Sequence, residues 1–336
     1  MNLNNRAIKP AAYTRLIGLS MSLTPEVAGV VAKMREAEIS FADLELAEAR
    51  QFYIDTLAAS GGEPVPMAEV VDQTLALDGR DLGARRYRPE GLAAGAAPTL
   101  VYFHGGGWVL GDLASHDRIC RQLAQRAGCQ LIAVDYRLAP EHCLPASSDD
   151  AIAAYGYLVE HAQDFDIDVQ RLAVGGDSAG GHLSAVVALA ARDAGWPLAL
   201  QVLIYPATDL REAAGQYPSK GRNANVPPLT AELMAWFGQR SVDANTDPLD
   251  WRVSPILAKT LEGTAPALVI TAGADVLMDE GVLYAARLAD DGVDVAHAHY
   301  PGVIHGFIEM HAWLAATGNA MDRIAAAVRT HLGSTG

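Results

Sequence analysis

Four stretches of this 336-residue chain hold residue types that chemistry uses. The run VGGDSAGGHL contains G-x-S-x-G as Gly176-Asp177-Ser178-Ala179-Gly180, between an apolar stretch and an Ala-rich one. A serine on a sharp strand-to-helix turn takes strained backbone angles, and small neighbours keep such a turn free of collisions. The turn holds the hydroxyl out at the helix N-terminus as a nucleophile, and the next amide, that of Ala179, points into the same space. Taken alone, the same residues also make a plain tight turn.

A second stretch, VYFHGGGWVLGD, sets Gly105, Gly106 and Gly107 after an apolar run. Three successive glycines are costly in conformational entropy, so a ligand must need backbone close by. Amides without a Cβ beside them can converge on a developing oxyanion. A phosphate loop is the rival, but it requires Lys-Ser/Thr after the glycines, and here Trp108-Val109 follows. A dinucleotide fingerprint, G-x-G-x-x-G, is not cleanly present either.

Ten histidines compete for the role of base. His297 and His299 alternate along a strand and decorate it. His182 lies one turn beyond Ser178, where it packs or caps. His104 ends a strand and is placed to hold the glycine loop. His305, in YPGVIHGF, follows the last strand in a loop flanked by Gly302 and Gly306. A mobile, exposed loop histidine there suits a general base. For the acid that orients such a base, GADVLMDE offers Asp275, Asp279 and Glu280. The preceding strand ends near Gly273, so Asp275 falls in the first loop residues beyond it. Asp279 and Glu280 sit where the next helix begins, and negative charge stabilises a helix N-terminus.

The elements that must position these residues follow from periodicity. Residues 1–60 read as helical, with Val27, Val30, Val31 and Met34 at helical spacing. From about residue 67, β-like runs take over and then alternate with amphipathic helices to the C-terminus. Near-continuous apolar strands separated by helices indicate an α/β fold: a mainly parallel central sheet covered by helices on both faces. The alternation breaks at 207–255, a Pro/Gly/Asn-rich insertion followed by the helix AELMAWFGQRSVDAN. Leaving the C-terminal edge of the sheet, where ligands of open α/β sheets bind, it is placed to form a lid. The expected division is a first cap segment at 1–60, a catalytic domain at 61–206 and 256–336, and a second cap segment at 207–255.

Taken together, HGGGW at 104–108, DYRLAPEH at 135–142, GDSAGG at 176–181, DVLMDEG at 275–281 and YPGVIHGF at 300–307 resemble the hormone-sensitive-lipase-like family of α/β-hydrolases, the bacterial family IV carboxylesterases. They occur in that family's order across roughly 65–335, and the helical N-terminus resembles its cap. The resemblance implies the α/β-hydrolase fold and a catalytic set of Ser178, His305 and Asp275. It also implies an oxyanion hole from the amides of Gly105, Gly106 and Ala179, and a turn fixed by Arg137, Glu141 and His142. The activity implied is hydrolysis of short- to medium-chain acyl esters through an acyl-enzyme, without cofactor or metal. Members often dimerise, so a homodimer is within what the resemblance implies. This chain departs from the pattern at Val276, where a proline is usual, and at Met278, where a basic residue is usual.

Trp108, Tyr205, Trp236, Phe237, Ile304 and Phe307 are candidates to line acyl or alcohol pockets, with core packing as the alternative for each. An amide hydrolase would use the same catalytic set. A non-catalytic receptor is disfavoured by His305, since the plant gibberellin receptors that resemble this family lack that histidine.

Net charge of −15 and a pI near 5.0 exclude the basic stripe that nucleic-acid partners need. Cys120, Cys129 and Cys143 form no C-x-x-C pair and read as reduced thiols. The apolar run LIGLSMSL near the N-terminus is too short for a membrane span. The expectation is a soluble, cytoplasmic protein.

Overall fold

The computed structural model describes residues 22–37, 41–211 and 217–333. The helical reading of residues 1–21 lies outside them. Two helices open the described chain, α1 (Pro25–Glu36) and α2 (Leu46–Gly61). Thr24 caps α1 by accepting from the Val27 amide at 3.3 Å, with Pro25 at the first helical position, where its missing N–H is no loss.

Eight strands then form one sheet in the order β1-β2-β4-β3-β5-β6-β7-β8. They are β1 (Glu69–Leu77), β2 (Arg80–Arg88), β3 (Ala97–Phe103), β4 (Gln130–Asp135), β5 (Ile167–Asp177), β6 (Leu200–Ile204), β7 (Ala267–Ala274) and β8 (Val295–Ile304). β1 and β2 pair antiparallel at one edge; β4, β3 and β5 to β8 run parallel. The helices between them are α3 (Asp117–Ala127), α4 (Ala146–Glu160), α5 (Ala179–Ala194), α6 (Pro218–Arg222), α7 (Ala231–Ser241) and α8 (Met278–Asp290), and α9 (Ala315–Leu332) follows β8.

The period of two in β3 shows why its run is apolar throughout. Leu100 and Tyr102 pack with α3 and α9 on one face of the sheet. Val101 and Phe103 pack with α4 and α5 on the other. A parallel strand covered on both sides has no solvent face to keep polar.

Because β3, β5, β7 and β8 run in one direction, the residues just beyond Phe103, Asp177, Ala274 and Ile304 emerge along one edge. His104–Gly107, Ser178, Asp275 and His305 are those residues. α1, α2, α6 and α7 come from the two segments outside the alternating pattern. These segments touch each other where Phe41 packs on Trp236, ring centroids 6.4 Å apart, and where Arg35 donates to the Asn225 carbonyl at 3.3 Å. Among the described residues, no helix is long and apolar enough to cross a membrane.

Candidate active site

β5 runs to Asp177 and α5 starts at Ala179, leaving Ser178 alone at the corner with φ 55° and ψ −115°. This left-handed conformation is strained for a residue with a Cβ, by roughly 1–3 kcal/mol, and the surroundings hold it. Its amide donates to the Ile204 carbonyl at 2.8 Å. Gly180 lets α5 press against the end of β3: a Cβ there would lie 2.6 Å from the Phe103 carbonyl carbon and 2.8 Å from the His104 oxygen.

Ser178 Oγ lies 3.0 Å from His305 Nε2, and His305 Nδ1 lies 2.7 Å from Asp275 Oδ2. The second Asp275 oxygen accepts from the Leu277 amide at 2.9 Å, which fixes the carboxylate plane. With Nδ1–H donated to Asp275, the Nε2 lone pair faces the serine hydroxyl. Of the three candidate acids, Asp275 alone touches the imidazole.

His305 is not the exposed residue its loop position suggested, being only 8% accessible. The segments above the sheet edge enclose it, and the Tyr205 ring sits 4.4 Å away. Burial pulls the imidazole pKa down, but the Asp275 carboxylate outweighs this and leaves it above the ordinary histidine value. The other nearby histidines are committed elsewhere. His182 receives Trp108 Nε1–H at 3.3 Å and donates to the Val253 carbonyl at 3.1 Å, and burial takes it down to about 4. His104 bonds the Gly105 carbonyl at 2.7 Å and stacks on Tyr136.

The glycine loop departs from expectation at its first member. The Gly105 amide donates to Asp177 Oδ1 at 3.1 Å, with His116 Nε2 at 3.2 Å, so its N–H is already engaged on the side away from the cavity. Gly106 and Gly107 instead border the cavity at Ser178, and neither amide has an acceptor among the described residues. The Ala179 amide, first in α5, has no intrahelical partner. Gly106 holds φ at 112°, which only glycine adopts readily, while its carbonyl turns away to accept from Val109 and Leu110. Gly107 belongs to the glycine run but not to the oxyanion set the resemblance implied, and it borders the cavity at Ser178 where Gly105 does not.

Ser178 stands between two lobes of a cleft. One, of about 300 Å³, is walled by Phe41, Phe52, Tyr53 and Leu57 from the first outlying segment and by Leu229, Leu233 and Phe237 from the second. The other, of about 520 Å³, is bordered by Trp108, Met234, Phe237, Val276 and Leu277. Both sizes suit small-molecule ligands. Of the sequence-derived pocket residues, Phe237 faces both lobes and Trp108 the second. Tyr205, Ile304 and Phe307 border neither: all three are buried core side chains packed in the layer beneath the site. Trp236 packs in the core against Phe41.

Charge around the site is organised from a distance. Arg50 of α2 grips Glu141 through two bonds of 2.7 and 2.8 Å and also donates to the carbonyls of Val109 and Ala139. Arg137 pairs with Asp150 rather than with Glu141. Among the described residues, His116, Asp177 and Glu309 are the group that brings possible metal-ligating atoms within 4.8 Å of one another. The three cysteines are free.

A family model described as the alpha/beta hydrolase fold matches residues 100–309. An ethyl acetate hydrolase of Pseudomonas putida is 40% identical, over 93% of this chain and all of that protein. A carboxylic ester hydrolase of Mycobacterium tuberculosis is 43% identical, over 79% of this chain and 71% of its own. Among solved structures, an ester hydrolase from the metagenome of Lake Arreo, held with a bipyridine phosphonate derivative, superposes with a TM-score of 0.88. It shares 42% identity over 93% of this chain and all of that one.

Proposed function

This chain belongs to the α/β-hydrolase family, in its hormone-sensitive-lipase-like branch of bacterial family IV carboxylesterases, and from that premise we propose how its residues carry out the reaction. The chain is a carboxylic ester hydrolase. Ser178 is the nucleophile, His305 the general base and Asp275 the orienting acid. One observation carries this reading: an unbroken line from Ser178 Oγ through both imidazole nitrogens to Asp275, at 3.0 and 2.7 Å, beside amides with no acceptor.

His305 Nε2 takes the hydroxyl proton as Oγ attacks the ester carbonyl. The carbonyl oxygen becomes an anion, and the amides of Gly106, Gly107 and Ala179 donate to it. Nδ1–H stays on the imidazole and meets the fixed Asp275 carboxylate, which stabilises the imidazolium. Collapse expels the alkoxide, which leaves with the proton from Nε2 and forms the acyl-enzyme. Water, deprotonated by the same nitrogen, then releases the acid and restores Ser178.

The segments at 25–61 and 207–255 serve as one cap over the cleft, since each supplies apolar walls to the lobe beside Ser178. Lobes of this size favour short- to medium-chain acyl groups. The free thiols of Cys120, Cys129 and Cys143 favour a reducing, cytoplasmic setting. A homodimer is the proposed assembly, on family resemblance, and sedimentation of the purified chain tests it.

The test of the activity is a rate series on p-nitrophenyl esters of increasing acyl length, with an anilide included, on the native chain and Ser178→Ala. Ester turnover that vanishes in the variant is expected. Turnover confined to the anilide would replace the esterase reading with an amidase.

A further inference from the structure

Glu309 lies outside the Ser178–His305–Asp275 line, yet its carboxyl is enclosed beside it. It ends a short 3-10 turn, Phe307–Glu309, four residues after His305, and it borders the cleft next to Ser178. Its Oε1 is 3.0 Å from His116 Nε2, at the start of α3. The same nitrogen is 3.4 Å from Asp177 Oδ1. That oxygen accepts the Gly105 amide at 3.1 Å and the Tyr102 hydroxyl at 2.8 Å. Glu309, His116 and Asp177 are 8%, 1% and 1% accessible. One imidazole therefore joins the loop after the base, the residue before the nucleophile and the first glycine of the oxyanion loop.

Two buried carboxyls around one imidazole cannot both remain charged without a heavy desolvation cost. Asp177 is the ionised member: burial works against it, but His116 holds its pKa below the usual carboxylate range. Burial lowers His116, yet Asp177 and Glu309 carry it up to about 10, so it is an imidazolium. Burial and the Asp177 charge push Glu309 up to about 7, so it retains a proton well above the ordinary carboxylate range. The groups facing it are Tyr53 from α2, His116 from the start of α3, Asp177 from β5, Tyr205 beyond β6, and His305.

We propose that Glu309 is a positioning residue of the reaction, coupling the loop that carries His305 to the glycine loop through His116 and Asp177. The proposal rests on Ser178 and His305 acting as assigned above. Without the carboxyl, the imidazolium loses one of its two acidic neighbours, and the Gly105 anchor loses the partner that sets its register against His305. The ground-state ester, held by the apolar lobes, is bound as before. The developing oxyanion is not, so the loss falls on kcat.

The test compares the native chain with Glu309→Gln and Glu309→Ala. Competent sites are first counted by the p-nitrophenolate released when Ser178 displaces it from a p-nitrophenyl phosphonate. Rates per counted site remove any effect of a misfolded fraction. For Glu309→Ala, kcat should fall by about tenfold or more while KM changes by less than about threefold. Glu309→Gln, which mimics the protonated carboxyl, should keep kcat within about threefold of native. Its acid limb in kcat/KM should lie at lower pH, because a negative Glu309 stabilises the His305 imidazolium and glutamine has no charge. Native kcat per site in Glu309→Ala, equal impairment in the two variants, or an unshifted acid limb in Glu309→Gln would overturn the proposal. Absence of stoichiometric phosphonate release in the native chain would instead defeat the nucleophile assignment, which the Glu309 variants do not probe.

Discussion

Ser219 and Asp279 bond each other twice across sixty residues of chain: the Ser219 amide donates to Asp279 Oδ2 at 2.7 Å, and the Asp279 amide to Ser219 Oγ at 3.2 Å. Ser219 Oγ also donates to the Val276 carbonyl at 2.8 Å. One residue on, Glu280 accepts the Thr208 amide at 3.0 Å and pairs with Lys220 Nζ at 3.0 Å. Asn223 donates to the carbonyls of Gly273 and Asp275 at 3.2 and 2.8 Å. The 207–255 segment is thus fastened to the loop that holds Asp275.

Asp279 and Glu280 do begin α8, as their positions suggested, but their carboxylates face inward and are buried. A helix-start role alone predicts a loss of about 1 kcal/mol on removal. An acceptor lost inside the protein strands the Ser219 amide, which raises the expected loss for Asp279→Ala to ~2–3 kcal/mol. Denaturant unfolding measures it. A loss within error of a surface substitution would show that the Ser219 pairing contributes nothing.

Asp275→Asn tests the division of labour among the three acids. The amide nitrogen facing His305 Nδ1 favours the tautomer with its proton on Nε2, which cannot accept from Ser178. A kcat decrease of roughly 10⁴ is expected, with little change in unfolding midpoint. Asp279→Ala should show the opposite balance. Similar activity losses in both variants would remove Asp275 from its assigned place.

Gly107 is tested by collision and relief. A Cβ at this residue would run into the Phe237 ring, and its φ of 60° already disfavours a side chain. Gly107→Ala should lower kcat/KM by about tenfold or more, as an oxyanion donor is displaced. Adding Phe237→Ala removes the ring and should restore part of that loss. A double variant no better than the single would mean that the ring does not set the position of this amide.

The parallel sheet and its helices were legible because burial on both faces writes continuous apolar runs. That Ser178, His305 and Asp275 would meet was legible because strand ends, glycines and a resemblance to known hydrolases coincided there. Gly105 misled because a run of identical residues carries no sign of which amide turns inward; Asp177, buried beside it, decides that. Tyr205, Ile304 and Phe307 misled because nearness in sequence to catalytic loops does not give side-chain direction. Val276 and Met278 find a local reading. Both are buried under the second segment, where Arg222 lies 3.7 Å from Met278 Sδ and 3.8 Å from Asp279.

The raised His305 pKa makes activity and stability move in opposite directions with pH. As base, the imidazole must be neutral, so kcat/KM should climb as pH rises through a value above the ordinary 6.5. For folding the sign reverses. A histidine whose pKa is raised in the folded state adds stability that is complete below its unfolded value and lost as pH rises through the folded one. Glu309, pushed up to about 7, acts in the same sense, because the folded state keeps a proton that the unfolded chain has released. The midpoint of thermal unfolding should therefore decline across the window in which kcat/KM increases. Replacing Asp275 by Asn removes the charge that raises His305. That variant should show a shallower decline, its residual part set by Glu309 and His116, both of which hold a proton in the folded state that the unfolded chain releases earlier. A decline as steep as in the native chain would mean that the Asp275–His305 pair does not contribute to it.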